Sequence, residues 1–315
     1  MQSPARANKA IFFFALYFLV VQFILVLIAL VVGLAGIVTT GMLQIIGLFV
    51  SFLFYLLVTK QTPKQVLPWK GLSLKNILLV VAISLAILPM VRILFYLLSF
   101  VFASIILDFL DEAATAPMWL SIVVIGVLPA FFEEFWFRGA LYTEYRARGV
   151  SVLKTALITG LFFGLIHMNF QQAIYAGALG VLYTYLVYYT RSILAPILGH
   201  FINNSISAIL VYIEPYQTWH GNLSQNPVLF LLGMGGLSLA MLPVLILCLK
   251  KLKRYHAETE PVLEPIAQEI DAPAVEPAIQ PDAGPKVYTW GFWAALAVFG
   301  LMTLLTEVTL RSALG

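Results

Sequence analysis

Apolar residues run along this chain in long unbroken stretches, and short clusters of charge separate them. The first run covers 10–36, and others follow at 38–59, 77–107, from 118 into a charged turn at 142–154, and at 152–168, 172–189, 193–213, 228–249 and 287–310. A helix of about 20 apolar residues is the length needed to cross a bilayer core of about 30 Å. The runs are continuous, where a membrane barrel would alternate apolar with polar. The pattern therefore predicts an all-α, polytopic transmembrane helix bundle of eight core spans and a ninth after a linker. The first run exceeds the roughly 7–15 apolar residues of a signal-peptide core, so it reads as a retained span. Pro89 and Arg92 interrupt the third, which is expected to be long, kinked or partly wetted.

Charge placement orients the bundle. Basic clusters lie at 1–9, 60–76, 142–154, Arg191 and 250–256, on alternate turns of the expected path. Under the positive-inside rule that side is the cytoplasm. The amino terminus is then cytoplasmic and the carboxyl terminus, after nine spans, outside. The turns at 108–117, with Asp108, Asp111 and Glu112, and at 214–227, with Glu214, fall opposite. Residues 257–286 hold seven acids and six prolines and can build no packed core, so they read as a disordered tether. Deleting 257–315 is accordingly expected to leave the rest folded. Composition agrees: the chain is 61% hydrophobic and 10% charged, against about 25% charged in soluble domains. Its mean hydropathy is +0.95. A single cysteine, Cys248, excludes an internal disulfide and a cysteine-rich metal cluster.

Against this background a few polar residues stand out inside the spans. Glu133, Glu134 and Arg138 lie in the fourth, where each buried charge costs roughly 2.5–3.5 kcal/mol on insertion scales. Glu134 and Arg138 are i,i+4 and can pair, whereas Glu133 points about 100° away. One glutamate can be held while the other works. His167 ends the fifth span, and His200 and Asn204 share a face of the seventh, with Asn169 and Asn203 nearby. Gly160 and Gly164 make a GxxxG pair facing the small residues Ala173, Ala176, Gly177 and Gly180 of the sixth span. Helix rise puts Glu133, His167 and His200 about 10–15 Å below the cytoplasmic face, in one layer reached from that side. If the fifth span enters already at Val152, His167 lies near 22 Å and the cluster needs a tilted or shorter helix.

This set permits hydrolysis. A carboxylate in apolar surroundings can act as general base on water, a histidine can share that task, and amide or imidazole donors can hold an oxyanion. No serine or cysteine nucleophile is evident, and the HExxH zinc motif is absent. The metal question stays open on residues alone: Glu133, His167 and His200 would suffice for a catalytic zinc, and the same groups serve without one. Rival readings are a structural ion-pair lock, a non-catalytic scaffold or immunity-type protein binding a peptide in the same cavity, and a transporter with a proton or ion relay. The last lacks the internal repeat such folds often show.

In order and placement, Glu133-Glu134-xxx-Arg138, Phe163-xxx-His167 and His200-xxx-Asn204 resemble the three motifs of the CPBP intramembrane proteases, also called the CAAX prenyl endopeptidase or Abi family, with the Rce1-type enzymes. The resemblance covers about 118–210. It implies a protease cutting peptide or lipidated protein substrates at the membrane, in eukaryotes removing the last three residues of prenylated proteins. It implies that Glu133 activates water with His167 assisting, that Glu134 and Arg138 form a supporting pair, and that His200 and Asn204 hold the oxyanion. The chain then divides into amino-terminal spans at 1–117, a protease core and following span at 118–256, the tether at 257–286 and a last span at 287–315. The lipid bilayer is the expected surrounding, the plasma membrane if the source is bacterial, and no nucleic-acid partner is expected.

Overall fold

In the computed structural model the described residues are 5–34, 36–103, 109–110, 113–213, 226–259 and 287–314. Asp108, Asp111, Glu112, Glu214 and positions 260–286 of the tether lie outside them. The described residues form the helices α1 Ala5–Val32, α2 Gly36–Thr59, α3 Leu74–Ser99, α4 Met118–Ala147, α5 Val152–Leu165, α6 Phe170–Thr190, α7 Leu194–Leu210, α8 Pro227–Thr259 and α9 Trp290–Leu314. Six of them, α1, α2, α3, α4, α8 and α9, are long and apolar enough to cross a membrane, while α5 and α7 are shorter apolar helices. This is an all-α, integral multi-pass membrane protein.

Boundaries depart from the hydropathy runs where caps and turns overrule composition. The third helix stops at Ser99, short of the expected 107. Helix α5 stops at Leu165, because Met168 adopts a left-handed backbone (φ 49°) and Asn169 caps α6 by accepting from the Gln172 N–H at 3.0 Å. Helix α8 continues through the basic run to Thr259, so the first residues assigned to the tether are helical.

Three contacts position the polar layer. Trp136 of α4 donates through Nε1 to Leu48 O and Ser51 Oγ of α2, each at 3.0 Å, and stacks on Phe14 of α1 at 4.3 Å. A buried indole with its N–H satisfied is a strong anchor. Helices α5 and α6 approach through their glycines: a β-carbon on Gly180 would stand 2.9 Å from Gly160 Cα, closer than packed atoms allow. Thr159 and Thr184 share a hydrogen bond of 2.8 Å across the same seam. At the basic end of the bundle, Glu144 pairs with Arg148 and Arg6 and accepts from Tyr55.

Helix α9 is part of this body. Phe292 and Phe299 are buried, with Phe162 of α5 against both rings and Phe14 of α1 against Phe299. Asn8 of α1 donates to Val287 O and Thr289 Oγ1 just ahead of α9, and accepts from Tyr145 of α4.

Candidate active site

Helix α4 is not a uniform α-helix. Two of its segments, Ile122–Val127 and Phe135–Leu141, have widened π turns; the N–H of Leu128 reaches back to Val123 O and that of Tyr142 to Phe137 O, five residues each. Such turns recur at functional sites because they rotate side chains out of the regular register. Glu133 and Glu134 end the regular α segment between them, and Arg138 sits in the second widened turn.

Glu134 and Arg138 are both fully buried. Arg138 Nη1 donates to Glu134 Oε1 at 3.1 Å, and Nη2 donates to Gly180 O at 2.7 Å. Its guanidinium lies 4.4 Å from the Phe163 ring centre and 5.4 Å from that of Tyr183. Ring faces and an ion partner together make burial of this charge tolerable. The carbonyl is within reach because Gly180 has no side chain: a β-carbon there would stand 3.1 Å from Arg138 Nη2.

His200 joins the pair. Its Nδ1 is 2.9 Å from the same Glu134 Oε1. Its Nε2 is 3.1 Å from Asn204 Nδ2, which also donates to Ile125 O at 2.9 Å. The Ile125 carbonyl can only accept, so the atom facing it is the amide nitrogen. The second amide hydrogen then points to His200 Nε2, which must accept. His200 is therefore neutral here, with its proton on Nδ1 and donated to Glu134. Tyr183 stacks on the ring at 5.3 Å and 22°, and its hydroxyl accepts from Asn203 at 2.9 Å.

Glu133 is different. It is buried and lines the cavity, Oε2 has no hydrogen-bond partner among the described residues, and the nearest ring nitrogen, His200 Nε2, is 3.9 Å away. His167 lines the same cavity. Its Nδ1 lies 2.9 Å from Phe163 O, an acceptor, so Nδ1 carries a hydrogen. The Phe163 ring meets both histidines edge-on, at 5.7 Å from His167 and 5.5 Å from His200. Glu133, Glu134, His200 and Asn204 thus cluster closely with Arg138, while His167 faces the same space without bonding to them.

The cavity measures about 760 Å³. Besides the polar layer, Gln22, Thr40, Gln44, Arg92, Tyr96 and Phe230 line it. These lie in the halves of α1, α2, α3 and α8 remote from the basic turns. The lining departs from the expectation of access from the basic side: the space extends toward the opposite end of the bundle, where Phe109 and Leu110 also line it. The reason lies in α5. At 14 residues it rises about 21 Å from the basic end, so its tip and His167 stand deep in the bundle.

The metal candidates do not form a ligand set. Among the described residues no three His, Cys, Asp or Glu side chains gather to hold an ion. Both nitrogens of His200 are engaged, and His167 stands apart behind Phe163. Sequence reasoning missed Tyr183, Phe163 as the shared ring, and the Gly180 and Ile125 carbonyls. The aromatic three residues beyond Gly180, on the small-residue face, was the available signal for Tyr183.

Residues 115–206 match the family model described as "Type II CAAX prenyl endopeptidase Rce1-like". The "Putative membrane peptidase YdiL" of Bacillus subtilis (strain 168) is 28% identical over 134 residues, 41% of this chain and 50% of that protein. The chain thus spans about half the length of this curated relative. No solved structure matches.

Proposed function

We propose, for a chain whose residues 115–206 match the Rce1-like family model, that the cavity hydrolyses peptide bonds with Glu133 as the general base. The unequal treatment of the two adjacent glutamates carries this reading. Glu134 Oε1 is committed to Arg138 and His200 and its bare Oε2 does not line the cavity, whereas Glu133 Oε2 is a buried acceptor without a partner on the cavity wall. A carboxylate kept bare in an apolar space is fit to take a proton from water.

The chemistry then runs on this chain's own residues. Water entering the cavity gives a proton to Glu133, with Nε2 of His167 helping to orient it. The hydroxide adds to the substrate carbonyl carbon. The resulting oxyanion takes the Asn204 N–H that otherwise rests on His200 Nε2. The released His200 nitrogen can take that same proton on from Glu133, whose Oε2 lies 3.9 Å away, with Glu134 stabilising the imidazolium. Collapse breaks the C–N bond, and the proton held on Glu133 or His200 passes to the leaving amine. In the resting arrangement His200 has no hydrogen on Nε2, so it can serve the oxyanion only after gaining one. The donor set does not gather three metal ligands, and no step is routed through a metal. The substrates proposed are peptides or lipidated proteins of the membrane, prenylated ones included.

The test is purified wild type against Glu133→Gln on a mixed library of lipidated and unlipidated peptides. Cleavage is expected from wild type alone, with both proteins equally folded. Cleavage by the variant at the normal rate sinks the mechanism. Binding without cleavage by wild type favours the scaffold reading instead.

A further inference from the structure

Arg92 is an arginine inside the bundle that the network around Glu134 leaves unused. It lies on α3 and lines the same cavity as Glu133, His167 and His200. Arg138 has Glu134, Arg148 has Glu144 and Arg311 has Glu307 as ion partners. The bond recorded for Arg92 is a long one, 3.4 Å from Nη2 to Ser207 Oγ, and among the described residues no carboxylate pairs with it. A guanidinium at membrane depth without a counter-ion is costly, and such groups mark ligand paths. Two further cavity groups complement it: the side-chain carbonyl oxygens of Gln22 and Gln44 are buried and have no partner among the described residues. One space therefore offers a fork for an anion and bare acceptors for N–H groups.

We propose that Arg92 binds the free terminal carboxylate of the peptide substrate, which makes it the residue that selects chain ends over internal segments. This deepens the peptidase reading above and rests on it. A terminal peptide supplies both the anion and the N–H donors that the glutamines lack, whereas a phosphatidylglycerol headgroup supplies the anion without any N–H. A guanidinium fork also matches a carboxylate in shape. The spacing sets a ruler. Ser207, beside Arg92, follows His200 by seven positions on α7, about 10 Å of helix rise. An extended peptide covers that in about three residues at roughly 3.3 Å each. A carboxylate on Arg92 thus places a bond about three residues from the chain end beside Glu133 and His200.

The experiment measures binding, so it does not depend on turnover. Full-length protein carrying Glu133→Gln is placed in phosphatidylcholine nanodiscs. The probe is a fluorescent peptide with a farnesylated cysteine and three apolar residues after it, made once as the free acid and once as the amide. The acid is expected to bind roughly tenfold to a hundredfold more tightly, the range for a hydrogen bond to a charged group. Adding Arg92→Gln should abolish that preference, so that acid and amide bind alike; a preference that survives the substitution overturns the proposal. Equal affinity for acid and amide with Arg92 intact, including no binding of either, overturns the proposal and needs no second variant. Phosphatidylglycerol retained in native mass spectra only when Arg92 is present, with acid and amide bound equally, would assign the site to a lipid phosphate and also overturn it. If the acid preference holds but wild type never cuts the bound peptide, the peptidase reading fails and the Arg92 assignment stands.

Discussion

The side-chain amide of Asn204 sets the protonation of His200. Its nitrogen lies 2.9 Å from Ile125 O and 3.1 Å from His200 Nε2, so one donor bridges a backbone carbonyl in the first widened turn of α4 and a ring on α7. The carbonyl orients the amide, the amide keeps hydrogen off Nε2, and Glu134 accepts the one on Nδ1. Replacing Asn204 with Ala is expected to free Nε2 and lower kcat roughly 10²–10³-fold, the cost of one oxyanion donor. Imidazole ¹⁵N shifts should keep the Nδ1–H that Glu134 holds while the Nε2 signal moves as it loses its donor. An unchanged Nε2 shift in the variant contradicts this control.

Arg138 and Glu134 are buried as a pair, and breaking one side alone strands the other. Arg138→Met should destabilise the protein by about 3–5 kcal/mol. The double variant Arg138→Met with Glu134→Gln should recover much of that loss, since no charge is left alone, yet stay inactive because His200 loses the carboxylate that stabilises its imidazolium. Denaturant unfolding in detergent checks the first half and peptide cleavage the second. Additive destabilisation in the double variant argues against the coupling.

Gly180 serves the same arginine through space rather than chemistry. A methyl group there meets Gly160 Cα at 2.9 Å and Arg138 Nη2 at 3.1 Å. Gly180→Ala should cost about 1–3 kcal/mol as overpacking and push Arg138 off its carbonyl. Gly233 on α8, with nothing near its would-be β-carbon, is the control: Gly233→Ala should be close to neutral. Equal melting temperatures for the two variants would count against a tight α5–α6 seam.

Helix α9 reaches the polar layer through a short relay. Glu307 accepts from the Ala103 N–H at 3.0 Å, Ala103 O accepts from Asn169 Nδ2 at 3.0 Å, and Asn169 caps α6 two residues after His167. The sequence alone suggested that 257–315 could be deleted without harm to the rest. The packing of Phe292 and Phe299 reverses that expectation. A chain ending at 286 should aggregate in detergent, because the faces of α1 and α5 that α9 covers become exposed. The milder Glu307→Gln should remain folded but raise hydrogen exchange at Ala103 and Asn169. A monodisperse, active truncation would restore the original expectation.

Much of the fold is legible in one dimension. Continuous apolar runs specify membrane helices because lipid forces each segment to satisfy its own backbone, and that local rule needs no knowledge of neighbours. The Glu134–Arg138 pair is likewise readable, since i,i+4 spacing on one helix brings the groups together. The close seam between Gly160 and Gly180 followed from small residues at helical spacing. The lower end of α3 was less legible, because hydropathy continues past Ser99 while the helix does not.

From the sequence by itself come the class of protein, the order of its helices, and the short set of polar residues that membrane burial makes expensive. Tertiary structure decided what those residues do to one another. Whether His200 faces Glu134 or Glu133, whether its Nε2 donates or accepts, and whether Arg92 meets a carboxylate all depend on contacts between helices far apart in the chain. Such contacts turn on widened turns in α4 and the short reach of α5, differences of a few ångströms that helical periodicity does not encode. Hydrogen bonds and ion pairs are decided within those few ångströms, so the polar layer could be named from the sequence but wired only by the fold.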